Sequence, residues 1–327
     1  MLPYILRRFA NLIPVFIGAT LLTFLIIQAA PGDFLDAKRL DPRTTPATIE
    51  RIERQFGLDK PIFVQYGLWL KNFVTGNLGI SFESNVPVWD LIGPKVFNSM
   101  ILVFGSTFLL YFIAIPIGIY GAVRQYSLGD KSISLVSYFF LGFPSFFFAL
   151  ILIFGIIQLN WALNTKVLPV GGMTSEYYDS LSPIGKVLNI LWHTLAPMIA
   201  LLLRSIASES RGFRAQMLEF LNQDFVRTAR AKGLSERVVI YKHTLRNAIT
   251  PFVANIGGLL PAIFSGAGFV EVVFNWPGLT PVFLEALFSQ DIYVNVSIGA
   301  ITLVLLVIGN LMADFLLGAV DPRIRYY

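Results

Sequence analysis

The sequence predicts an all-α polytopic membrane protein. It has six transmembrane helices, an extracytoplasmic insertion between the first and second, and a cytoplasmic helical loop between the fourth and fifth. Three observations carry this reading. The composition is 55% hydrophobic with 29 Phe and only 14% charged residues, too apolar for the two soluble domains that 327 residues would otherwise allow. Six runs contain no Asp, Glu, Lys or Arg: Phe9–Ala30, Met100–Val123, Ser132–Thr165, Val187–Leu203, Asn247–Val270 and Ile292–Ala313. Each but the fourth exceeds the roughly 20 residues that cross a bilayer as a helix, and the fourth borrows from its flanks. On this topology 15 Lys/Arg lie inside and 10 outside. Eight of those ten fall in a loop too long to count for orientation, so both termini are placed in the cytoplasm.

Taken in order, the chain divides into 1–30 (cytoplasmic N-terminus and first span), 31–99 (insertion) and 100–327 (five-span core). The first apolar run is too long for a signal-peptide core and is followed directly by Pro31, so it is read as a retained span behind Arg7 and Arg8. In the insertion, Thr45-Pro46 marks a helix start and Gly57 its end. A second helix, from about Pro61 to Phe73, places Ile62, Tyr66, Trp69 and Phe73 on one stripe, and Gly76 and Gly79 then break the chain. The second span carries Ala114, Gly118 and Ala122 at four-residue spacing, which permits close helix approach in lipid. Pro144 predicts a kink in the third span, beside Gly142 and Ser145. Arg204 ends the fourth span, from which it can reach the headgroups. The fifth span is rich in small residues (Gly257, Gly258, Ala262, Gly266, Gly268) and should be soft around Pro261.

The most informative stretch is 222–250, polar and basic between two apolar runs. Asp224 is expected to cap a first helix over Phe225–Lys232, with Gly233 in the left-handed position that ends it. Ser235 then starts a second helix carrying Val238, Leu245 and Ile249. From Arg227 to Arg246 there are six Lys/Arg against Glu236 alone, so the segment cannot lie in lipid and should project into the cytoplasm.

Ala229-x3-Gly233, inside FVRTARAKGL and followed by KHTLRNAITP, resembles the coupling loop of ABC-importer permeases, most closely the dipeptide/oligopeptide/nickel branch. The segments APGDFLD, IERQFGLDKPIFVQYGLWL and GNLGISF, the outer NWPGL and the terminal DPRIR extend the likeness over almost the whole chain. The general importer signature begins Glu-Ala-Ala, where this chain has Arg227, Thr228 and Ala229, a departure habitual in the peptide branch. The resemblance implies that Asp224, Arg227, Thr228, Ala229, Arg230, Ala231, Lys232 and Gly233 form a helix seated in a groove of an ATPase subunit. It implies a second homologous permease, two cytoplasmic ABC ATPases that bind ATP and Mg, and an extracytoplasmic substrate-binding protein, all at a prokaryotic inner membrane. Small residues and soft helices place Ser145, Gly258, Pro261, Ala262, Ser265 and Gly266 along the translocation pathway.

Other chemistries lack their residues. No G-x4-G-K-[ST] occurs, so ATP is not bound here by a P-loop. The chain has no cysteine and only two histidines, His193 and His243, in separate regions, so no cofactor or metal is expected. The basic residues flank spans rather than tracking a phosphate backbone, which excludes nucleic acid. No catalytic constellation favours an enzyme. A nickel or oligosaccharide importer of the same family remains an alternative, as does a stand-alone secondary transporter, although neither paired intramembrane charges nor an inverted repeat is visible.

Overall fold

The computed structural model describes residues 2–29, 35, 39, 45–258, 260–262 and 267–320, and among these every regular element is helical. Among the described residues, four helices are long and apolar enough to cross a membrane: Val88–Val123, Ser145–Ala162, Pro183–Leu221 and the Ile292–Leu317 part of the last helix. The first helix contributes a shorter apolar stretch, Ile13–Ala29. The protein is a multi-pass membrane protein.

The chain forms two compact units. One comprises residues 1–98 and 278–308, with 326–327. Here α1 (Leu2–Ala29) packs on α3 (Ile62–Val74), while α2 (Pro46–Phe56) precedes it. Thr45 caps α2 by accepting from Thr48 N, Pro46 occupies the first turn, and Gly57 closes the helix in the left-handed region. The α3 stripe works as its spacing demands: Tyr66 and Trp69 are buried with Phe24, Ile292 and Val296, each such side chain worth about 1.5–3 kcal/mol. The Tyr66 hydroxyl lies 2.9 Å from that of Thr20 and donates to the Ile17 carbonyl at 3.2 Å. The turn over 80–87 is tied to the last helix by Asp291, which accepts from Ser81 Oγ at 2.7 Å and from Glu83 N at 3.2 Å. The same carboxylate accepts from Val294 N at 3.3 Å in the first turn of that helix.

The other unit comprises residues 99–277 and 309–325. The helix α4 (Val88–Val123) enters it, followed by α5 (Leu128–Leu141), α6 (Ser145–Ala162) and α7 (Pro183–Leu221). At 1.5 Å per residue, the 39 residues of α7 run about 58 Å, nearly twice the hydrocarbon thickness. Its C-terminal turns therefore stand clear of the bilayer and carry the basic segment. The small stripe of the second span is where α4 meets α7. A Cβ on Gly118 would stand 2.9 Å from the Ser210 carbonyl and 3.1 Å from Arg214 N, so only glycine admits this crossing. Ala114 and Ala122 are buried beside it.

Two expectations about the spans need revising. At Pro144 the third span does not kink but stops: α5 ends at Leu141 and α6 restarts at Ser145, with Pro144 extended between them. Proline biases its predecessor away from the helical region, and Gly142 offers little to resist. The fifth span is no single helix among the described residues. It runs as Leu245–Ala248, Thr250–Asn255 and a 3-10 turn Ile256–Gly258, residues 260–262 are again helical, and α9 (Gly268–Val273) follows. The paired glycines Gly257 and Gly258 remove side-chain packing where the 3-10 turn replaces α-helix. The chain then forms α10 (Leu279–Phe288) and α11 (Ile292–Val320).

Opposite the basic segment, the Pro169–Ser175 loop is pinned by polar bonds. Gly172 N donates to the Phe274 carbonyl at 2.8 Å. His193, buried on α7, holds Gly172 O through Nδ1 at 3.0 Å, and a carbonyl can only accept, so the proton sits on Nδ1. Nε2 is then free to accept from Ser175 Oγ at 3.1 Å, and Asn189 Nδ2 donates to that oxygen at 2.9 Å. His193 is the hydrogen-bonded structural residue that a lone histidine in a span usually is.

Candidate coupling segment and pathway

The basic segment folds as two helical pieces around a glycine turn. Its first helix, α8, spans Asp224–Ala231. Gln223, not Asp224, occupies the capping position, and Asp224 is the first helical residue. The exchange costs little, because a carboxylate in the first turn still faces the positive end of the helix dipole. Eight residues make a marginal helix alone, so packing and the C-terminal turn must hold it. Val226 and Ala229, one turn apart, are buried against Val239 of the second piece. Gly233 lies at φ +73°, and its N–H reaches the Arg230 carbonyl at 2.9 Å while Leu234 N reaches Ala229 O at 3.4 Å. These are the two bonds of a Schellman motif, which satisfies the last carbonyls of the helix. Arg230 closes across the turn onto Glu236 at 2.8 Å.

The remaining face of α8 is bare. Asp224, Phe225, Arg227, Thr228, Arg230, Ala231 and Lys232 are all exposed, whereas Ala229 is 5% exposed and faces its own chain. Arg227 pairs with Asp224 at 3.4 Å, and Lys232 makes no ion pair among the described residues. The eight residues singled out in the sequence thus separate into a presenting face and an internal one.

The second piece departs from a plain α-helix. Ser235 takes the start position without a side-chain bond, a short turn covers Glu236–Val238, and Val239–Thr244 is π-helical before Leu245–Ala248. Thr244, fully buried, donates its hydroxyl to the Val239 carbonyl at 3.0 Å. The wider turn adds to the residues that face inward: Val239, Ile240, Thr244 and Ala248 are buried, and Leu245 and Ile249 of the expected stripe, half-buried, pack against the same cluster as Ile240 and Ala248. Consecutive residues therefore serve two clusters. Val239 packs under α8, and Ile240 joins Phe213, Met217, Ala248 and Phe252 in the helical bundle. Packed side chains thereby connect α8 to α7 and the start of the fifth span.

Asp130 and Arg214 support this end of the bundle, and the sequence reading missed the pair. Arg214 Nε and Nη2 reach the two Asp130 oxygens at 2.7 and 2.8 Å, and Tyr126 N donates to the same carboxylate at 2.9 Å. The Asp130 side chain is 3% exposed. The Arg214 hydrogen bond, above all, holds its pKa below the usual carboxylate value despite burial. The legible signal was Ser127-x-x-Asp130, a helix-start pattern: Asp130 N donates to Ser127 Oγ at 3.2 Å.

Ala262 lines a cavity of about 160 Å³ with Ser106, Thr107, Leu202 and Ser205. At about 30 Å³ per water this holds a few waters and not a peptide. Ser145 opens α6 and is half-buried, Gly258 is exposed, and Pro261 is half-buried. Ser265 and Gly266 lie outside the described residues. Gly257 crosses α11 so closely that a Cβ on Gly309 would fall 2.1 Å from the Gly257 carbonyl oxygen.

Comparison with known proteins covers the chain end to end. The family model described as "Binding-protein-dependent transport system inner membrane component" matches residues 114–326, and its N-terminal companion matches 1–103. The oligopeptide transport system permease protein AppB of Bacillus subtilis is 38% identical over 328 residues, covering 100% of both chains. The dipeptide transport system permease protein DppB of Escherichia coli K12 is 33% identical over 345 residues, 100% of this chain and 99% of the relative. The oligopeptide transport system permease protein OppB of Mycobacterium tuberculosis is 31% identical over 331 residues, 99% of each. An all-helical, multi-pass chain without a nucleotide-binding loop, matched over its whole length in this way, belongs to the family of inner-membrane permease components of binding-protein-dependent ABC transport systems.

Proposed function

We propose that the chain is one of two pore-forming subunits of an ATP-driven importer of di- or oligopeptides. It crosses the membrane six times with both termini in the cytoplasm and works with a homologous permease, two ATPase subunits and an extracytoplasmic binding protein. The observation that carries the reading is the division of α8. Val226 and Ala229 are spent inside the chain on Val239, leaving bare a face of Phe225, Arg227, Thr228, Arg230, Ala231 and Lys232 at the end of a helix that outruns the bilayer. That face is the docking surface for an ATPase subunit, and ATP with its Mg is bound there and not here. The peptide assignment rests on three full-length relatives whose names specify peptide transport.

The substrate route runs beside the fifth span, past Gly258, Pro261, Ala262, Ser265 and Gly266, with Ser145 at the break of the third. Small side chains and hydroxyls suit cargo of varied sequence, and the small cavity at Ala262 opens when the partner permease and nucleotide change the helix arrangement.

Cysteine crosslinking in this cysteine-free chain tests the docking face. Thr228→Cys and Ala231→Cys, both exposed, should crosslink to the ATPase subunit in the assembled complex, whereas Ala229→Cys, turned inward, should not. Crosslinks from Thr228→Cys to lipid and never to an ATPase would overturn the assignment.

A further inference from the structure

An open cleft of about 800 Å³ lies between α5 and α7, at the same end of the bundle as the basic segment. Its charges are unevenly spent. Arg214 is committed to Asp130 by both bonds, so that pair is neutral as a unit. Lys131 and Arg211 are left, and neither has a carboxylate partner among the described residues. Arg211 is held in place by an aromatic ring: its guanidinium lies 4.0 Å from the Tyr138 ring centroid, and Nη2 donates to the Tyr138 hydroxyl at 3.1 Å. That leaves further N–H donors of a planar, preoriented fork turned toward the cleft. The hydroxyls of Ser134 and Ser208 line the same space.

The surroundings of the cleft are apolar and uncovered. Leu128 is 83% exposed, Leu135 72% and Phe139 60%, all on α5. In a chain that crosses a membrane, such a face meets hydrocarbon. The site thus joins two unspent cations and two hydroxyls to an adjoining apolar strip, toward the end of α7 that carries the basic segment.

We infer that this cleft binds the phosphate of an anionic glycerophospholipid, with Lys131 and Arg211 on the headgroup and an acyl chain along Leu135 and Phe139. Charge complementarity selects an anion, the guanidinium fork suits a phosphate, and the apolar strip selects a lipid over a free phosphate. A lipid seated there bridges α5 and α7 next to the Asp130–Arg214 pair and braces the end of the bundle that carries α8.

The test uses the whole assembled transporter, purified in mild detergent and examined by native mass spectrometry during titration with phosphatidylglycerol. Phosphatidylcholine and soluble glycerol 3-phosphate serve as the two comparison ligands. The wild-type complex should retain phosphatidylglycerol, fail to retain phosphatidylcholine, and lose none to millimolar glycerol 3-phosphate. About 1 kcal/mol per basic residue near a membrane surface corresponds to roughly fivefold in affinity. Lys131→Gln and Arg211→Gln should each weaken retention about fivefold, and the double variant about 25-fold. Lys131 is exposed and holds no structural bond through its side chain, so Lys131→Gln reports on binding even if Arg211→Gln disturbs assembly. Equal retention by wild type and Lys131→Gln would overturn the proposal. So would equal binding of phosphatidylcholine, displacement by glycerol 3-phosphate (a free-phosphate pocket), or displacement by an acidic peptide (a stretch of the substrate route).

Discussion

Replacing Gly233 isolates the turn that orients α8. Its φ of +73° lies where a side chain costs about 1–2 kcal/mol through contact of Cβ with the following carbonyl. A Cβ built there meets nothing within 4 Å, so no neighbouring clash adds to that cost. The penalty is therefore purely conformational and falls on the two Schellman bonds, Gly233 N to Arg230 O and Leu234 N to Ala229 O. An energy of 1–2 kcal/mol lowers the weight of the native turn about 5–30-fold against its alternatives. Because the position is exposed, Gly233→Val should still assemble into the complex. Gly233→Asn should be milder than Gly233→Val, because asparagine tolerates the left-handed region. Peptide uptake and ATP hydrolysis are then measured together in proteoliposomes. The expected result is normal assembly, continued ATP hydrolysis and reduced uptake, ordered Gly, Asn, Val. Wild-type uptake by Gly233→Val would refute the claim that this turn transmits the stroke.

Other substitutions probe the scaffold. Arg214→Met strands the Asp130 carboxylate at 3% exposure and should cost about 3 kcal/mol, seen as a fall in thermal unfolding temperature. Asp130 has a folded-state pKa below its unfolded value, so its contribution is fully present above about pH 4 and fades as pH falls through the folded value. The stability difference between wild type and Asp130→Asn should therefore be flat from pH 7 to 5 and shrink below 4. Asp291 has the opposite sign: desolvation raises its pKa, so ionisation weakens the fold as pH rises, and Asp291→Asn should be tolerated at pH 7 far better than Asp130→Asn. Gly309→Ala would press a methyl onto the Gly257 carbonyl and should cost about 1–3 kcal/mol, whereas Gly258→Ala meets nothing within 4 Å and should leave the unfolding temperature unchanged. Cysteines at Ser145, Ala262 and Ser265 should react with a water-soluble thiol reagent in at least one nucleotide state, and protection at all three in every state would place the route elsewhere.

Features governed by nearest neighbours along the chain were legible in the sequence. Thr45-Pro46 and Gly57 bound a helix, Gly233 adopts φ +73°, and the Tyr66/Trp69 stripe is buried, because caps, left-handed turns and periodicity each depend on a few adjacent residues. The small stripe at Gly118 was legible as a close approach, although only the structure names α7 as the helix approached. The π-turn at Val239–Thr244 was not, since it arises where Ile240 and Ala248 must reach the bundle while Val239 stays under α8. Long-range polar pairs such as Asp130–Arg214 and Ser81–Asp291 were equally hidden, because single-sequence spacing carries no information about residues 84 or 210 positions apart. Ala229 could be placed on the coupling helix from its motif, but its inward orientation depends on Val239, beyond the end of that helix.

This chain is expected to conduct peptides only as part of an ATP-driven assembly. The direct measurement is uptake of a labelled oligopeptide into proteoliposomes holding the two permeases, the ATPases and trapped ATP, with binding protein outside. Uptake should require ATP and the binding protein, and should vanish when the ATPases carry a hydrolysis-blocking substitution. Peptide accumulation by this chain alone, without ATP, would contradict the account.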